Sequence, residues 1–281
     1  MKIINTLSEQ TIYKSLCSIF NIDESVMKKY ILDNKFRIMN QYSENAKCIN
    51  LKDFLNTVES KKEPSDLFDY VTLSHLTTRI SNPKNSPLYN LDTSLLKNTD
   101  ISNFFKKCGI LFRSENGKIK VINDGKKVDW NEYEQSGTVQ MIKHRLEYLN
   151  KYMDRCINGY LFNEKIYHIR DINHLNSCPE IIQNILCALN KNKYIYDWYK
   201  NAKPYILTFR ANISDIIFDG TGLNYLTKKQ KTYRILRCVL FYLSKKYLNR
   251  WSNDDNPMVR LKDKLNVRCE DMVNIQIIEK D

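Results

Sequence analysis

FDYVTLSHL, residues 68–76, is the stretch on which the fold turns. β-Branched and aromatic residues dominate it, and such side chains suit a pleated, half-buried surface, so the pattern predicts a strand over Phe68–Leu76. Turn chemistry follows at once in Ser81-Asn82-Pro83 and Ser86-Pro87. Upstream the texture is helical. Leu7, Ile12, Leu16, Ile19 and Phe20 recur at helical spacing, and a second stretch from Asp23 to Met39 sets Val26, Tyr30, Ile31 and Ile38 along one side, with Asp23 as its cap. The polar run SKKEPSD at 60–66 holds a proline and predicts a boundary near Glu63. The expected organisation is a helical N-terminal region over 1–63 and an α+β domain over 64–281.

Downstream of the strand, helices and extended runs alternate irregularly. A helical pair is predicted over Leu91–Lys107, with Thr99 or Asp100 as a cap and Gly109 as the stop. The runs Ile110–Phe112 and Lys118–Ile122 flank Asn116-Gly117, whose residues tolerate the positive φ that a tight two-residue turn demands, so a hairpin is expected. A long helix is expected over Glu132–Cys156, burying Met141, Leu146, Leu149 and Met153 and ending at Asn158-Gly159. Ser177-Cys178-Pro179-Glu180 has the form of a capping box opening a helix over Pro179–Leu189. Pro204–Phe209 reads as a strand, and Thr227 as the cap of a basic helix running to Trp251 with Leu236, Val239, Leu240, Leu243 and Tyr247 buried. A last strand is expected over Met272–Ile278. This order is no clean βαβ series, and it predicts an α+β fold: a helical N-terminal region followed by a mixed sheet with packed helices.

Composition narrows the function classes. With 281 residues, 42% of them hydrophobic, and only 7 Gly and 6 Pro, the chain can bury a real core and has little flexible linker. No apolar run approaches the roughly 20 residues a bilayer span needs, and no signal-like block opens the sequence, so the expectation is a cytoplasmic chain with no membrane partner. The eight cysteines are scattered and form no Cys-x-x-Cys pair, which predicts reduced thiols and no metal site. Charge is uneven. Residues 1–66 carry ten Lys and Arg against nine Asp and Glu, whereas 191–251 carry thirteen against three, a surplus of ten. Clustered charge of one sign concentrates oppositely charged ligands, so RNA or DNA is the expected polyanion, met by Lys228, Lys229, Lys231, Arg234, Arg237 and Lys245 on the basic helix. The alternative is a solvated basic face set by a Lys- and Asn-rich composition alone.

Phosphate loops, Gly-x-Gly-x-x-Gly, Gly-x-Ser-x-Gly and His-Glu-x-x-His are all missing from the sequence. Three local constellations remain. Ser74-His75-Leu76-Thr77-Thr78-Arg79 joins a strand-end histidine to hydroxyls and a guanidinium, a set suited to ribose hydroxyls and phosphates, or else a bonded structural histidine beside a surface ion pair. The stretch from Asp154 to Phe162 presents Tyr160 beside Gly159, for base or nicotinamide stacking or for plain core packing. The candidate carboxylates are Glu180, which a cap role would also explain, and Glu270 before the last strand.

A strand histidine with threonines nearby, a later tyrosine and a late glutamate on a mixed α/β scaffold resemble the His-Tyr-Glu arrangement of ADP-ribosyltransferase-like proteins, toxin and phage-defence members among them. The resemblance spans roughly 68–279. It implies NAD as cofactor, with His75 on the adenosine ribose, Tyr160 on the nicotinamide, Glu180 or Glu270 at the bond that breaks, and Thr77 and Arg79 as further binding residues. Rival readings are a metal-independent ribonuclease using His144, His168 or His174, and a non-catalytic nucleic-acid-binding regulatory protein.

Overall fold

Tyr70–Arg79 form one unbroken ten-residue strand, three residues longer at its C-terminal end than the sequence pattern predicts. The computed structural model describes residues 2–40, 51–58, 66–148, 154–164, 166–168, 177–218 and 225–279. In chain order the elements are β1 (Ile3–Ile4), α1 (Glu9–Phe20), α2 (Glu24–Asn40), α3 (Leu51–Thr57), β2 (Tyr70–Arg79), α4 (Leu91–Leu96) and α5 (Asp100–Lys107). There follow β3 (Ile110–Glu115), β4 (Lys118–Asn123), β5 (Lys126–Lys127), α6 (Gly137–Leu146), β6 (Asn158–Tyr160), α7 (Glu180–Ala188) and α8 (Lys193–Asn201). The last are β7 (Lys203–Asn212), β8 (Ile216–Phe218), α9 (Lys228–Tyr247), β9 (Met258–Leu261) and β10 (Met272–Ile277). The large sheet has the strand order β10–β7–β2–β6–β9–β8, with β1 parallel on β2, and β3–β4–β5 make a small antiparallel sheet. The fold is α+β.

Two compact units are built from interleaved pieces of chain: Met1–Ser74, Gly159–Ile166 and Thr208–Arg260 in the first, and His75–Asn158, Tyr167–Leu207 and Leu261–Asp281 in the second. The expected boundary at Glu63 lies outside the described residues. In the first unit α1 packs on α2 and α2 on α9. Ile12, Leu16 and Ile19 of α1, Met27, Tyr30 and Ile31 of α2, and Phe54 of α3 are buried, with Phe54 edge-on to both Phe20 and Tyr30. Val26 is 40% exposed and its neighbour Met27 takes the buried place expected for it. Thr227 caps α9 through a capping box with Gln230, as its position predicts.

α9 is not a helix with one buried stripe. Ile235, Leu236, Cys238, Val239, Leu240, Phe241, Tyr242 and Leu243 are all buried, so apolar contact surrounds most of its circumference. Tyr247, expected inside, is 51% exposed, because it lies on the last turn beyond that packing.

The second unit has its own core of Phe104, Phe105, Ile110, Trp130, Ile142, Leu146, Ile182, Ile185, Leu186 and Trp198. Thr99 caps α5, and Asn116 and Gly117 turn the β3–β4 hairpin at φ 52° and 75°. The long helix expected over Glu132–Cys156 is shorter: α6 starts at Gly137, where the Ser136 side chain accepts from Val139 N, and its last helical residue is Leu146. Asn158-Gly159 is no helix stop but part of β6, which pairs Tyr160 with Ser74. A β-carbon at Gly159 would stand 3.0 Å from the Ser74 carbonyl oxygen, so close strand approach is what the glycine serves. Among the described residues no helix is long and apolar enough to cross a membrane.

Candidate functional site

The second unit holds a half-open cavity of about 220 Å³. Its wall begins on the last five residues of β2, His75 to Arg79, all of which line it; His75, Thr77 and Arg79 lie on one face of the strand and Leu76 and Thr78 on the other. Asn158 of β6, the N-terminal ends of α5 and α7, Arg145 of α6, and Tyr89 and Trp198 complete it.

His75 Nδ1 lies 2.5 Å from the Asn158 carbonyl oxygen. A carbonyl only accepts, so the proton sits on Nδ1 and the neutral ring keeps Nε2 as an acceptor. Burial pushes the His75 pKa down to about 4, the Asn158 bond opposing it and the Arg79 charge adding to it. The ring is therefore neutral at pH 7. Stability follows from this shift. The folded value lies below the unfolded value of 6.5, so the contribution is complete above pH 6.5 and is lost as pH falls through 4. Urea unfolding at pH 7 and pH 4 is expected to show about 2 to 3 kcal/mol more loss in the native chain than in His75→Gln. Equal losses would mean that His75 is freely protonated when folded.

Arg79 is only 9% exposed. Its Nη1 donates to the Ser86 carbonyl at 3.1 Å, and Nη2 to Ser86 Oγ at 2.6 Å and to the Pro87 carbonyl at 3.0 Å. All three acceptors are neutral. Burial draws the arginine pKa down, and Asp100 opposes this through space. The Asp100 carboxylate itself accepts from Ser81 N and Oγ, both at 2.7 Å. A guanidinium does not lose its proton in a protein, so a full positive charge stands at the cavity wall with no bonded counter-ion among the described residues.

Arg145 is arranged the opposite way. Its Nε donates to Asp154 Oδ2 and its Nη2 to Glu180 Oε2, each at 2.9 Å. Burial alone would lower its pKa, but the two carboxylates outweigh burial and the net direction is up. Glu180 is the first residue of α7, and the expected capping box with Ser177 does not form: Pro179 occupies the cap position and no side chain bonds the helix end. The Glu180 carboxylate is taken by Arg145 instead, where a charged donor is stronger than an amide. Trp198 Nε1 donates to Thr78 Oγ1 at 2.9 Å.

His75, Thr77, Arg79 and Glu180, each singled out from sequence alone, thus line one cavity. Other candidates lie elsewhere. Tyr160 belongs to the first unit and is not in the lining, whose tyrosine is Tyr89. Glu270 is exposed on a short turn and pairs with Arg268 at 2.7 Å. His144 is half-buried on α6, edge-on to Tyr148; the His168 side chain and His174 lie outside the described residues.

Of the cations expected to meet a polyanion, Lys231 is buried and Lys245 and Arg234 are half-buried. Lys231 is 5% exposed and donates to the Ser214 carbonyl, and the Arg234 guanidinium lies 5.0 Å from the Phe218 ring centroid. Lys245 pairs with Asp255 at 2.5 Å and Lys228 with Asp69 at 2.8 Å. Lys229 is exposed and Arg237 half-buried. The physical reason is the burial of α9 on most sides, which turns Lys231 and Lys245 onto inward acceptors.

Arg145, Tyr89 and Trp198 went unrecognised in the sequence, where no local motif marks them, and Asp100 stands there only as a candidate helix cap. The seven described cysteines carry free thiols, and burial pushes Cys178 up to about 12 and Cys238 up to about 11. Among the described residues no group of three or more His, Cys, Asp or Glu is placed to hold a metal ion. Comparison with protein-family models, with curated proteins and with solved structures gives no match.

Proposed function

We propose that the chain binds a nucleotide of the NAD type in this cavity and cleaves its bond to nicotinamide, as an ADP-ribosyltransferase-like enzyme. One observation carries the reading: His75, Thr77, Arg79 and Glu180 meet at a single cavity. Arg79 supplies an uncompensated guanidinium for a phosphate, a pairing stronger than one between neutral groups. His75 Nε2 accepts from a ribose hydroxyl, and Thr77 adds a hydroxyl of its own. Departure of nicotinamide with the bonding electron pair leaves positive charge on the ribose, and Glu180, aimed by Arg145, faces that charge as it develops. A nucleophile, the acceptor or water, closes the step by bonding to the anomeric carbon and giving up its proton to solvent. Tyr89, in place of Tyr160, offers the ring for stacking.

With Lys231 and Lys245 held by inward acceptors and Lys228 paired with Asp69 at the surface, three of the cations on α9 are already engaged, and a polyanionic acceptor would be met by other cations.

Calorimetric titration with oxidised nicotinamide dinucleotide tests the binding step. Arg79→Met is expected to weaken affinity about 100-fold, as loss of a charge-assisted phosphate contact should. Arg79→Lys should restore part of it, since lysine keeps the charge and loses the fork. A native chain that binds no dinucleotide, or a Met variant within threefold of it, removes the phosphate role.

A further inference from the structure

We infer that the cavity of the second unit seats a dipolar ligand, with its anionic group on Arg79 and its cationic group against Asp154 and Glu180. The nucleotide reading supplies only the ligand that would match; the charge pattern of the wall stands without it.

Asp154 and Glu180 share a single guanidinium, that of Arg145. Among the described residues the other bonded partner of Asp154 is neutral, Asn158 Nδ2 at 3.3 Å from Oδ1. Two carboxylates on one cation leave a negative charge in excess at that wall, and the Glu180 Oε1 atom is not the one Arg145 takes. Arg79 is the reverse case, a nine-tenths buried cation whose bonded partners are all neutral. Asp100 lines the same space but is bonded to Ser81 and reaches Arg79 only through space.

Over the whole lining three carboxylates stand against two guanidiniums, while His75 is neutral. Charges in a partly buried cavity are screened far less than on an open surface. A ligand of one sign is attracted at one wall and repelled at the other, whereas a ligand with both signs gains at both. Oxidised nicotinamide dinucleotide has a pyridinium at one end and phosphates behind it; its dihydro form keeps the phosphates and lacks the pyridinium charge.

The test is isothermal titration of the full chain with four probes: the oxidised dinucleotide, the dihydro dinucleotide, benzamidine and its neutral isostere benzamide. Benzamidine should bind at least about tenfold tighter than benzamide, and the oxidised dinucleotide at least about tenfold tighter than the reduced. Asp154→Asn and Glu180→Gln should each bring benzamidine down to the level of benzamide, with thermal melts confirming that both variants fold. The native-chain comparison of the two isosteres decides the matter whether or not the variants fold. If benzamidine and benzamide bind equally, or neither binds, the dipolar seat is overturned even where a dinucleotide binds. If benzamidine is preferred and no dinucleotide binds, the cation-binding wall of Asp154 and Glu180 stands, while the dipolar seat and the nucleotide reading both fall.

Discussion

Glu180→Gln is expected to lower the turnover of oxidised nicotinamide dinucleotide about 100- to 1000-fold, well beyond any loss of affinity. The amide oxygen can still accept from Arg145 Nη2, which bonds the carboxylate at 2.9 Å, so the geometry is kept and the charge alone is removed. A charge that acts mainly as the ribose becomes positive contributes to kcat more than to binding, and deleting one preorganised stabilising group typically costs this much. Asp154 keeps Arg145 paired in the variant. Nicotinamide release followed by chromatography gives kcat and KM separately. Turnover within threefold of the native chain would remove Glu180 from the chemistry, and Glu270→Gln, on an exposed turn, should leave turnover unchanged.

The second large effect is on stability. Arg155→Met is expected to destabilise the second unit by about 3 to 5 kcal/mol, as breaking a buried ion pair and its attached hydrogen bonds does. Arg155 is 4% exposed, and its donors reach four acceptors. Nη2 donates to the Leu146 carbonyl at 2.7 Å, Nε to the Arg145 carbonyl, and Nη1 to the Gly117 carbonyl at 3.0 Å and to Asp92 at 3.2 Å. Two of those carbonyls belong to the last turn of α6, where no further amide of the helix arrives to satisfy them. Methionine would fill much of the space but leave three carbonyls and one carboxylate without their donor. Urea unfolding followed by circular dichroism measures the loss; a change under 1 kcal/mol would mean that water replaces the guanidinium freely.

Where structure depends on neighbours in sequence, it was legible. Asn116-Gly117 demanded a tight turn, Thr99 and Thr227 supply their caps, and the strand of His75 carries the period that sets His75, Thr77 and Arg79 on one face. What depends on contacts between distant residues was not. Arg145, Asp154 and Glu180 meet only because α6, α7 and the segment after α6 come together, and no spacing announces such a cluster. The charge of α9 misled for the same reason: Lys231 and Lys245 look solvated on a helical wheel, yet one finds the Ser214 carbonyl and the other Asp255. Periodicity shows which faces are apolar; it does not show that a helix is enclosed on most sides. The overlong helix expected over Glu132–Cys156 has a like cause: Ser136 opens α6 late and it goes no further than Leu146, which is buried as expected, whereas Met141 is 36% exposed and Leu149 and Met153 lie outside the described residues.

The measurement that bears most directly on the central claim is the position of a bound dinucleotide, in crystals of the full chain grown with oxidised nicotinamide dinucleotide. The predicted result is density within the cavity, a phosphate oxygen about 3 Å from an Arg79 Nη atom and a ribose hydroxyl at the same range from His75 Nε2. Density lying instead along α9 near Lys229, or beside Glu270, with the space between Arg79 and Glu180 unfilled, would contradict it.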